Sequence, residues 1–376
     1  MSLYEVKKST QLGKEVFYIV NAETGIIEPM PSSYLKRKQY ENKSPNTLRN
    51  IAFPIAYYMD YLHILDLTVE DVLGMDYEEQ HEHFVGFLEH IKSGNHSGSL
   101  HIPSNNTCNT YLGAVFGYLN YLIMTRFQDH PLKVLIERDI TYTTRVGVVL
   151  KHTVTHFSGR LKSEQHQYRE MEESGVVQLL KASRCRRNIL LMLLLLDTGM
   201  RIGELLGVNY VRDIDYDKRI IHVKARNKNE NKARNKYGED RDVYFSEETL
   251  NVMRLYLAEN AALMADTEYL FINLHGATAG KAMNASGVNS MFRQLGKKTG
   301  IKATSHMFRH FFANERRKAG MDLLVIRDLL GHTHITTTTG YLHISSEECE
   351  KAEEEFHRLH DSVYMEDVHS DSNNMG

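Results

Sequence analysis

The sequence is poor in cysteine and has no long apolar run. Its 376 residues include three cysteines, Cys108, Cys185 and Cys349, and their spacing shows no pairs. We therefore expect neither a disulfide framework nor a cysteine-based zinc site, and a reducing compartment is favoured. The longest apolar run, 189–196, is much shorter than the roughly 20 residues that span a bilayer, so it predicts a buried helix. The first 20 residues lack the apolar stretch of a signal peptide, and none is expected.

Net charge of one sign is also lacking. The chain has 45 basic and 48 acidic side chains, a net charge of −3, and a pI near 6.7. This balance does not by itself indicate nucleic-acid binding. The charges are unevenly placed, however, because basic residues concentrate in 181–187 and 223–241 and acidic ones after Ser345. Since contacts to phosphates are local, this distribution permits DNA binding.

Three common catalytic signatures are missing. The sequence contains no HExxH motif, no P-loop and no convincing pair of catalytic carboxylates. Its 20 histidines include the clusters HEH (81–83) and GHTH (331–334), yet neither has an evident third and fourth ligand. We therefore expect no metal and no cofactor.

The length of the chain suggests two domains with flanking segments. Residues 1–34 read as short strands and turns, and 35–155 as an all-α domain in which Ser44 and Pro45 start a helix. Residues 156–173 have no clear period and are expected to be a linker. Residues 174–346 predict a mainly helical α+β domain with a small β-sheet, and 347–376 an acidic tail or helix.

Two motifs place charged groups on helix faces. In TGMRIGELLGV, Arg201 and Glu204 are three residues apart, so they share one side of a helix, and the arginine can present its planar fork to a phosphate. In SHMFRHFFANERR, His306, Arg309 and His310 lie on one face. Alone, the first motif could be a surface ion pair, and the second could be histidines at the edge of a core.

A third motif, LLGHTHITTTTGYLHIS, covers 329–345. Gly331 is expected to stop a helix and to leave His332 at its edge, with Tyr341 nine residues further on. Alone, Tyr341 could be an ordinary exposed tyrosine among the 21 in the chain.

Taken together, the three motifs give the order Arg, Lys, His-x-x-Arg, His, Tyr, and this order strongly resembles that of the tyrosine recombinase (integrase) family. Bacterial and mobile-element integrases are the most similar. The resemblance covers 174 to about 346. It extends to the N-terminal half only as architecture, where it implies an all-α, SAM-like core-binding domain that clamps DNA together with the catalytic domain.

The resemblance implies a role for each matched residue. Arg201 and Arg309 would bind the scissile phosphate, and His332 would donate a hydrogen bond to one of its oxygens. Tyr341 would be the nucleophile, and His306 would take up its proton. Two further residues, Glu204 and His310, would support these groups from behind.

The family's catalytic lysine lies five residues before an arginine that leads into a returning β-strand. Lys236 fits this position because Arg241 follows it by five residues, and Lys232 is the next candidate. The loop is longer than is usual in the family, and most of its basic residues could simply be solvated. The residues expected to contact DNA are Lys224, Arg226, Lys228, Lys232 and Arg241.

The function implied by the resemblance is site-specific DNA recombination through a covalent 3′-phosphotyrosyl intermediate and a Holliday junction, without metal or ATP. The implied partners are specific duplex DNA sites, a tetramer of this chain on DNA, and accessory or directionality factors, in the cytoplasm of a bacterium at its nucleoid. Two alternatives stay open: a type IB topoisomerase, and a non-catalytic DNA-binding protein of the same fold.

Overall fold

The computed structural model describes the greater part of the chain. The described residues are 2–11, 14–97, 102–143, 149–164, 171–226, 229–231, 233 and 240–331. The chain divides between Gln167 and Tyr168 into two compact units. The predicted tail, 347–376, lies outside the described residues. So do five residues to which the sequence analysis gave a role: Lys228, Lys232, Lys236, His332 and Tyr341.

The first unit begins with an antiparallel hairpin followed by helices. The hairpin consists of β1 (Tyr4–Gln11) and β2 (Lys14–Asn21). The helices are α1 (Pro29–Tyr40), α2 (Pro45–Ile64), α3 (Val69–Gly74), α4 (Tyr77–Lys92) and α5 (Asn105–Thr125). The start of α2 is as predicted, because the Ser44 hydroxyl accepts a hydrogen bond from the Thr47 amide and Pro45 is the first helical residue.

The N-terminal hairpin shares the core of these helices. Phe17 and Ile19 of β2 are buried in the same apolar cluster as Tyr58 and Phe84. The Asp60 carboxylate on α2 accepts hydrogen bonds from the amides of Leu3 and Tyr4, at 2.7 and 3.0 Å. The predicted N-terminal strands are therefore built into the first unit.

The region predicted to be all-α contains a second hairpin. Strands β3 (Ile136–Thr143) and β4 (Val149–His156) pair antiparallel over their whole length. Half of the residues in IERDITYT and in VLKHTVTH are Ile, Val or Thr, and apolar residues alternate in part of β3; both features are typical of strands, and the helical prediction overlooked them.

The predicted linker, 156–173, also starts inside the first unit. The Phe157 ring is fully buried among the aromatic side chains of that core. Further along, the Asn109 side chain donates to the Leu161 carbonyl (2.8 Å) and accepts from the Leu161 amide (3.1 Å). Residues 157–161 are therefore held against α5 and do not connect the units freely.

The second unit is mostly helical around one small sheet, as predicted. Its helices are α6 (Glu173–Ala182), α7 (Arg186–Thr198), α8 (Ile202–Leu205), α9 (Glu247–Asn260), α10 (Ala285–Thr299), α11 (Ser305–Lys318) and α12 (Leu323–Leu330). The antiparallel sheet has the order β5 (Ile214–Asp215), β6 (Ile220–Val223) and β7 (Arg241–Tyr244). The Ser246 hydroxyl caps α9, in agreement with the sequence.

The apolar run 189–196 lies in α7, as predicted for a buried helix, and α7 packs against α9 and α11. It ends at Gly199, whose φ of 59° is left-handed. A Cβ there would lie 2.5 Å from the Phe312 ring, so the turn into α8 needs glycine. In the described part of the chain, no helix is both long and apolar enough to cross a membrane.

Candidate active site

Arg201 and Glu204 form a partly buried pair at the start of α8. Arg201 is the N-cap residue, and its amide donates to Glu204 Oε2 at 2.9 Å. The Arg201 guanidinium donates to Glu204 Oε1 at 3.1 Å. Because the Glu204 side chain has 0% exposure, this is not the weak surface pair that the motif alone allowed.

A second guanidinium holds the same carboxylate. Arg241, the first residue of β7, donates from Nη2 to Glu204 Oε2 at 2.7 Å and from Nη1 to Oε1 at 3.3 Å. Burial raises the pKa of Glu204, but the hydrogen bonds and charges of Arg241 and Arg201 outweigh burial and hold the pKa below its ordinary value. Glu204 is therefore an anion between two cations at neutral pH.

Arg309 on α11 is buried, although it carries a charge. Its relative exposure is 1%. Nη1 donates to the Gly199 carbonyl and Nη2 to the Leu330 carbonyl, each at 2.6 Å. The guanidinium thus ties the end of α7 to the end of α12 and has a fixed orientation.

Three arginines converge on consecutive carbonyls at the end of α12. Arg241 Nε donates to Leu329 (2.8 Å), Arg309 Nη2 to Leu330 (2.6 Å), and Arg201 Nη2 to Gly331 (3.2 Å). The last carbonyls of a helix lack partners within the helix and carry its negative pole, so they attract cations. The position immediately after this cluster is His332.

His306 lies at the edge of the same cluster, on the exposed side of α11. Partial burial is the main cause that lowers the pKa of His306, and the positive charges of Arg309 and Arg201 lower it further. The imidazole is therefore mostly neutral at pH 7 and can accept a proton. His310, one turn along α11, is partly buried.

The structure places Arg241 differently from the DNA contact predicted for it. Its side chain is only 10% exposed, and its guanidinium binds Glu204 and the Leu329 carbonyl. This burial could not be predicted from the sequence, because these partners are distant along the chain. The other two described basic residues predicted to bind DNA also form ion pairs: Lys224 with Asp240, and Arg226 with the buried Asp213.

Asn231 and Ala233, in the described part of the long β6–β7 connection, are anchored to the second unit. The side-chain NH₂ group of Asn231 donates to the carbonyls of Leu206 (2.8 Å) and Met283 (2.9 Å). The side-chain oxygen of Asn231 accepts from the amide of Ala233, which is itself buried. Asn231 therefore ties the described part of this connection to the second unit, and the sequence analysis did not single it out.

Metal binding has no visible basis in the described residues. Across the described ranges, no group of three or more His, Cys, Asp or Glu side chains is arranged to hold a metal ion. The charge that the described site offers to an anion comes from its arginines.

Replacing Glu204 with glutamine is expected to destabilise the protein by about 3 kcal/mol at pH 7, because a buried pair loses its negative partner. Because the pKa of Glu204 in the folded protein is below its ordinary value of 4.5, the ionised carboxylate contributes its full stability above about pH 4.5. This contribution is lost as the pH falls through the pKa of the folded state. The difference between the two proteins should therefore shrink below about pH 4.5. Urea denaturation from pH 7 to pH 3.5 measures it, and a constant difference would contradict the assignment.

The proton-accepting role that the sequence predicts for His306 implies a pH dependence. The pKa of His306 is lowered, so the imidazole stays neutral and able to accept a proton at pH values below its ordinary pKa of 6.5. As the pH is lowered, kcat/KM for the predicted DNA cleavage should therefore fall, and this acidic limb of the pH profile should have its midpoint below 6.5. The His306→Gln protein should be about 10²-fold slower at pH 7 and should lack this limb. If the limb persists in the variant, another group is responsible.

Comparisons with known proteins show what the chain is similar to. Residues 169–348 match the phage integrase family model. Transposase A from transposon Tn554 of Staphylococcus aureus is 26% identical over 342 residues, which cover 89% of this chain and 92% of the transposase. Tyrosine recombinase XerA of Saccharolobus solfataricus is 32% identical over 183 residues, 49% of this chain and 55% of XerA.

A solved structure, that of XerH site-specific recombinase bound to palindromic difH substrate as a post-cleavage complex, has the same fold. Its TM-score is 0.57 at 17% identity, over 85% of this chain and 83% of that one.

The family match and the recombinase relatives identify the chain as an enzyme that cleaves and rejoins DNA. Residues 169–348, slightly less than half of the chain, form a domain of the phage integrase family, and the chain is similar to tyrosine recombinases.

Proposed function

We propose that the protein is a site-specific DNA recombinase of the integrase or transposase type. It cuts and rejoins duplex DNA through a 3′-phosphotyrosyl bond to Tyr341 and exchanges strands through a Holliday junction. One observation carries this proposal. Arg201 and Arg309 donate to the carbonyls of Gly331 and Leu330, which immediately precede His332 in the sequence, and both arginines lie near enough to His306 to lower its pKa.

The arginines act on the phosphate. In-line attack on a phosphodiester builds negative charge on its non-bridging oxygens. The guanidiniums of Arg201 and Arg309, which are held in place before DNA arrives, stabilise that charge, and His332 donates a further hydrogen bond. A site whose donors are already oriented loses little free energy to reorganisation during the reaction.

Proton transfer is divided between two groups. The Tyr341 hydroxyl has an ordinary pKa of about 10, so a base must take its proton as the oxygen attacks phosphorus. His306, neutral at pH 7, accepts that proton. The bond to the 5′-oxygen then breaks, and Lys236, with Lys232 as the alternative, donates a proton to the leaving oxygen.

The covalent intermediate conserves the energy of the broken bond. Attack of a 5′-hydroxyl on the tyrosyl phosphate releases Tyr341 and restores a phosphodiester, so the proposed cycle uses no ATP. Charge neutralisation by the arginines takes the place of a divalent metal in this scheme.

The proposed partner is duplex DNA with specific recombination sites, contacted by both units of the chain. XerH, in its solved complex, is bound to the substrate difH. The proposal further includes a tetramer on two DNA sites, accessory or directionality factors, and work at the bacterial nucleoid in the cytoplasm. The acidic segment 347–376 is proposed to dock on a neighbouring protomer, and its deletion should then weaken assembly on DNA.

Nicked duplexes that span the two ends of the DNA element carrying this gene test the function. The purified protein should become covalently attached to one of them, as a band that survives denaturing electrophoresis. Binding without any adduct would favour the non-catalytic alternative. Relaxation of a plasmid without these ends by monomeric protein would favour the topoisomerase.

A further inference from the structure

Arg241 binds several groups of the site, although the sequence analysis expected it to contact DNA. Arg241 links three elements of the second unit. It belongs to β7, and its guanidinium binds the Glu204 carboxylate on α8 and donates to the Leu329 carbonyl on α12. Planar donors in a fixed fork allow one side chain to bind a carboxylate and a carbonyl at once.

Gly331 makes room for this guanidinium. A Cβ built on Gly331 would lie 2.7 Å from Arg241 Nη1 and 3.0 Å from Cζ. The residue also has a φ of 63°, which L side chains rarely adopt. The end of α12 therefore lies directly against the Arg241 guanidinium, one residue before His332.

The contacts of Arg241 run towards the phosphate-binding groups. Glu204 is shared, because it also accepts hydrogen bonds from the Arg201 amide and guanidinium. The end of α12 is shared as well, because Arg201 and Arg309 donate to the two carbonyls that follow Leu329. A change at Arg241 thus alters what holds Arg201 and what fixes α12.

We propose that Arg241 is a positioning residue of this site. It orients Arg201 through Glu204 and fixes the last turn of α12 through the Leu329 carbonyl, and it does not contact DNA. This inference rests on the proposed function, since it concerns the rate of DNA cleavage. It replaces the DNA contact expected for Arg241, because all three nitrogens of its guanidinium donate within the protein and two of them bind the Glu204 carboxylate, which neutralises its charge.

Arg241→Lys separates positioning from DNA contact. Lysine keeps the charge, but its ammonium is a point charge and cannot reproduce the planar fork across Glu204 and Leu329. Positioning predicts that single-turnover cleavage of the nicked duplex slows about 10²-fold. It also predicts unchanged DNA affinity and an unchanged dependence of affinity on salt. A DNA contact predicts nearly normal cleavage of bound DNA with weaker binding, because the lysine ammonium can still reach a phosphate but lacks the planar fork of arginine.

Arg219→Lys is the matched control. Arg219 precedes β6 in the same hairpin and pairs with Glu247 at 2.8 Å, with 44% of its side chain exposed. An exposed pair tolerates a change of cation, so neither cleavage nor binding should change.

A double variant tests whether Arg241 acts through Glu204. If it does, Arg241→Lys should slow the Glu204→Gln protein by much less than 10²-fold, because the shared link is already broken. Independent effects that multiply would overturn the proposal, as would full cleavage activity of Arg241→Lys alone.

Thermal unfolding shows whether each variant is folded at the assay temperature. If Arg241→Lys is unfolded, the Glu204→Gln, Arg241→Gln protein replaces it, because this double change removes the buried Arg241 and Glu204 charges together and leaves only the Arg201 cation, which is partly exposed. Slow cleavage with normal binding by that protein supports the proposal, and fast cleavage overturns it. Absence of any adduct from the unchanged protein would instead contradict the proposed function, whatever the variants do.

Discussion

The Tyr341→Phe protein is expected to bind its DNA sites with unchanged affinity and to form no covalent adduct. Phenylalanine keeps the ring but lacks the oxygen that attacks phosphorus, while Arg201 and Arg309 remain in place to bind the phosphate. Loss of a nucleophile costs about 10⁴-fold or more in rate, so the adduct should fall below detection. Denaturing electrophoresis of labelled nicked duplex measures the adduct, and a gel-shift titration measures binding.

Tyr244→Phe is the control for this experiment. Tyr244 lies on β7 in the same unit and is 57% exposed, so loss of its hydroxyl should affect neither binding nor attachment. An adduct of normal yield with Tyr341→Phe would show that another residue is the nucleophile. The central chemical assignment would then be wrong.

Arg309→Lys has the second largest expected effect, because it changes both stability and cleavage. Arg309 is 1% exposed and satisfies the carbonyls of Gly199 and Leu330. An ammonium on a flexible stem cannot hold both in the same geometry, and each buried carbonyl left without its donor costs about 1–3 kcal/mol. Loss of one oriented donor to the phosphate should slow cleavage by a further 10²- to 10³-fold, roughly.

Two measurements separate these effects. Urea denaturation gives the loss in stability, and single-turnover cleavage at a temperature where the variant is folded gives the loss in rate. Arg293→Lys, at an exposed position of α10, is the matched control and should change neither. A folded Arg309→Lys protein that cleaves at the normal rate would remove Arg309 from the proposed mechanism.

The local parts of this structure could be predicted from the sequence. Helix starts at Ser44 and Ser246 depend on a hydroxyl and the amides three residues later, so neighbouring residues are sufficient to reveal them. The apolar run of α7 likewise predicts its own burial. The mainly helical second unit with a small sheet followed from such local patterns.

Other parts depend on contacts that no local pattern encodes. The burial of Arg241 requires Glu204, 37 positions earlier, and Leu329, 88 positions later. The spacing of a motif shows which residues occur together but not which of them pair in space. The same applies to Asn231, whose partners lie on two separate segments.

The β3–β4 hairpin was missed for a different reason. Its Ile, Val and Thr residues and its partial alternation were present in the sequence but lay between strong helical signals and a region without a clear period. Two-residue periods over short segments are weaker signals than amphipathic helices, and the longer signals dominated the prediction.

The hydrogen bonds that Asp60 accepts from Leu3 and Tyr4 bear on how the protein can be shortened or tagged. Removing the chain up to the end of β2, in order to obtain the helices alone, would deprive the Asp60 carboxylate of these two backbone donors. It would also expose the apolar surface that Phe17 and Ile19 cover. Fragments intended for crystallisation or DNA-binding assays should therefore retain the chain from Ser2 onward.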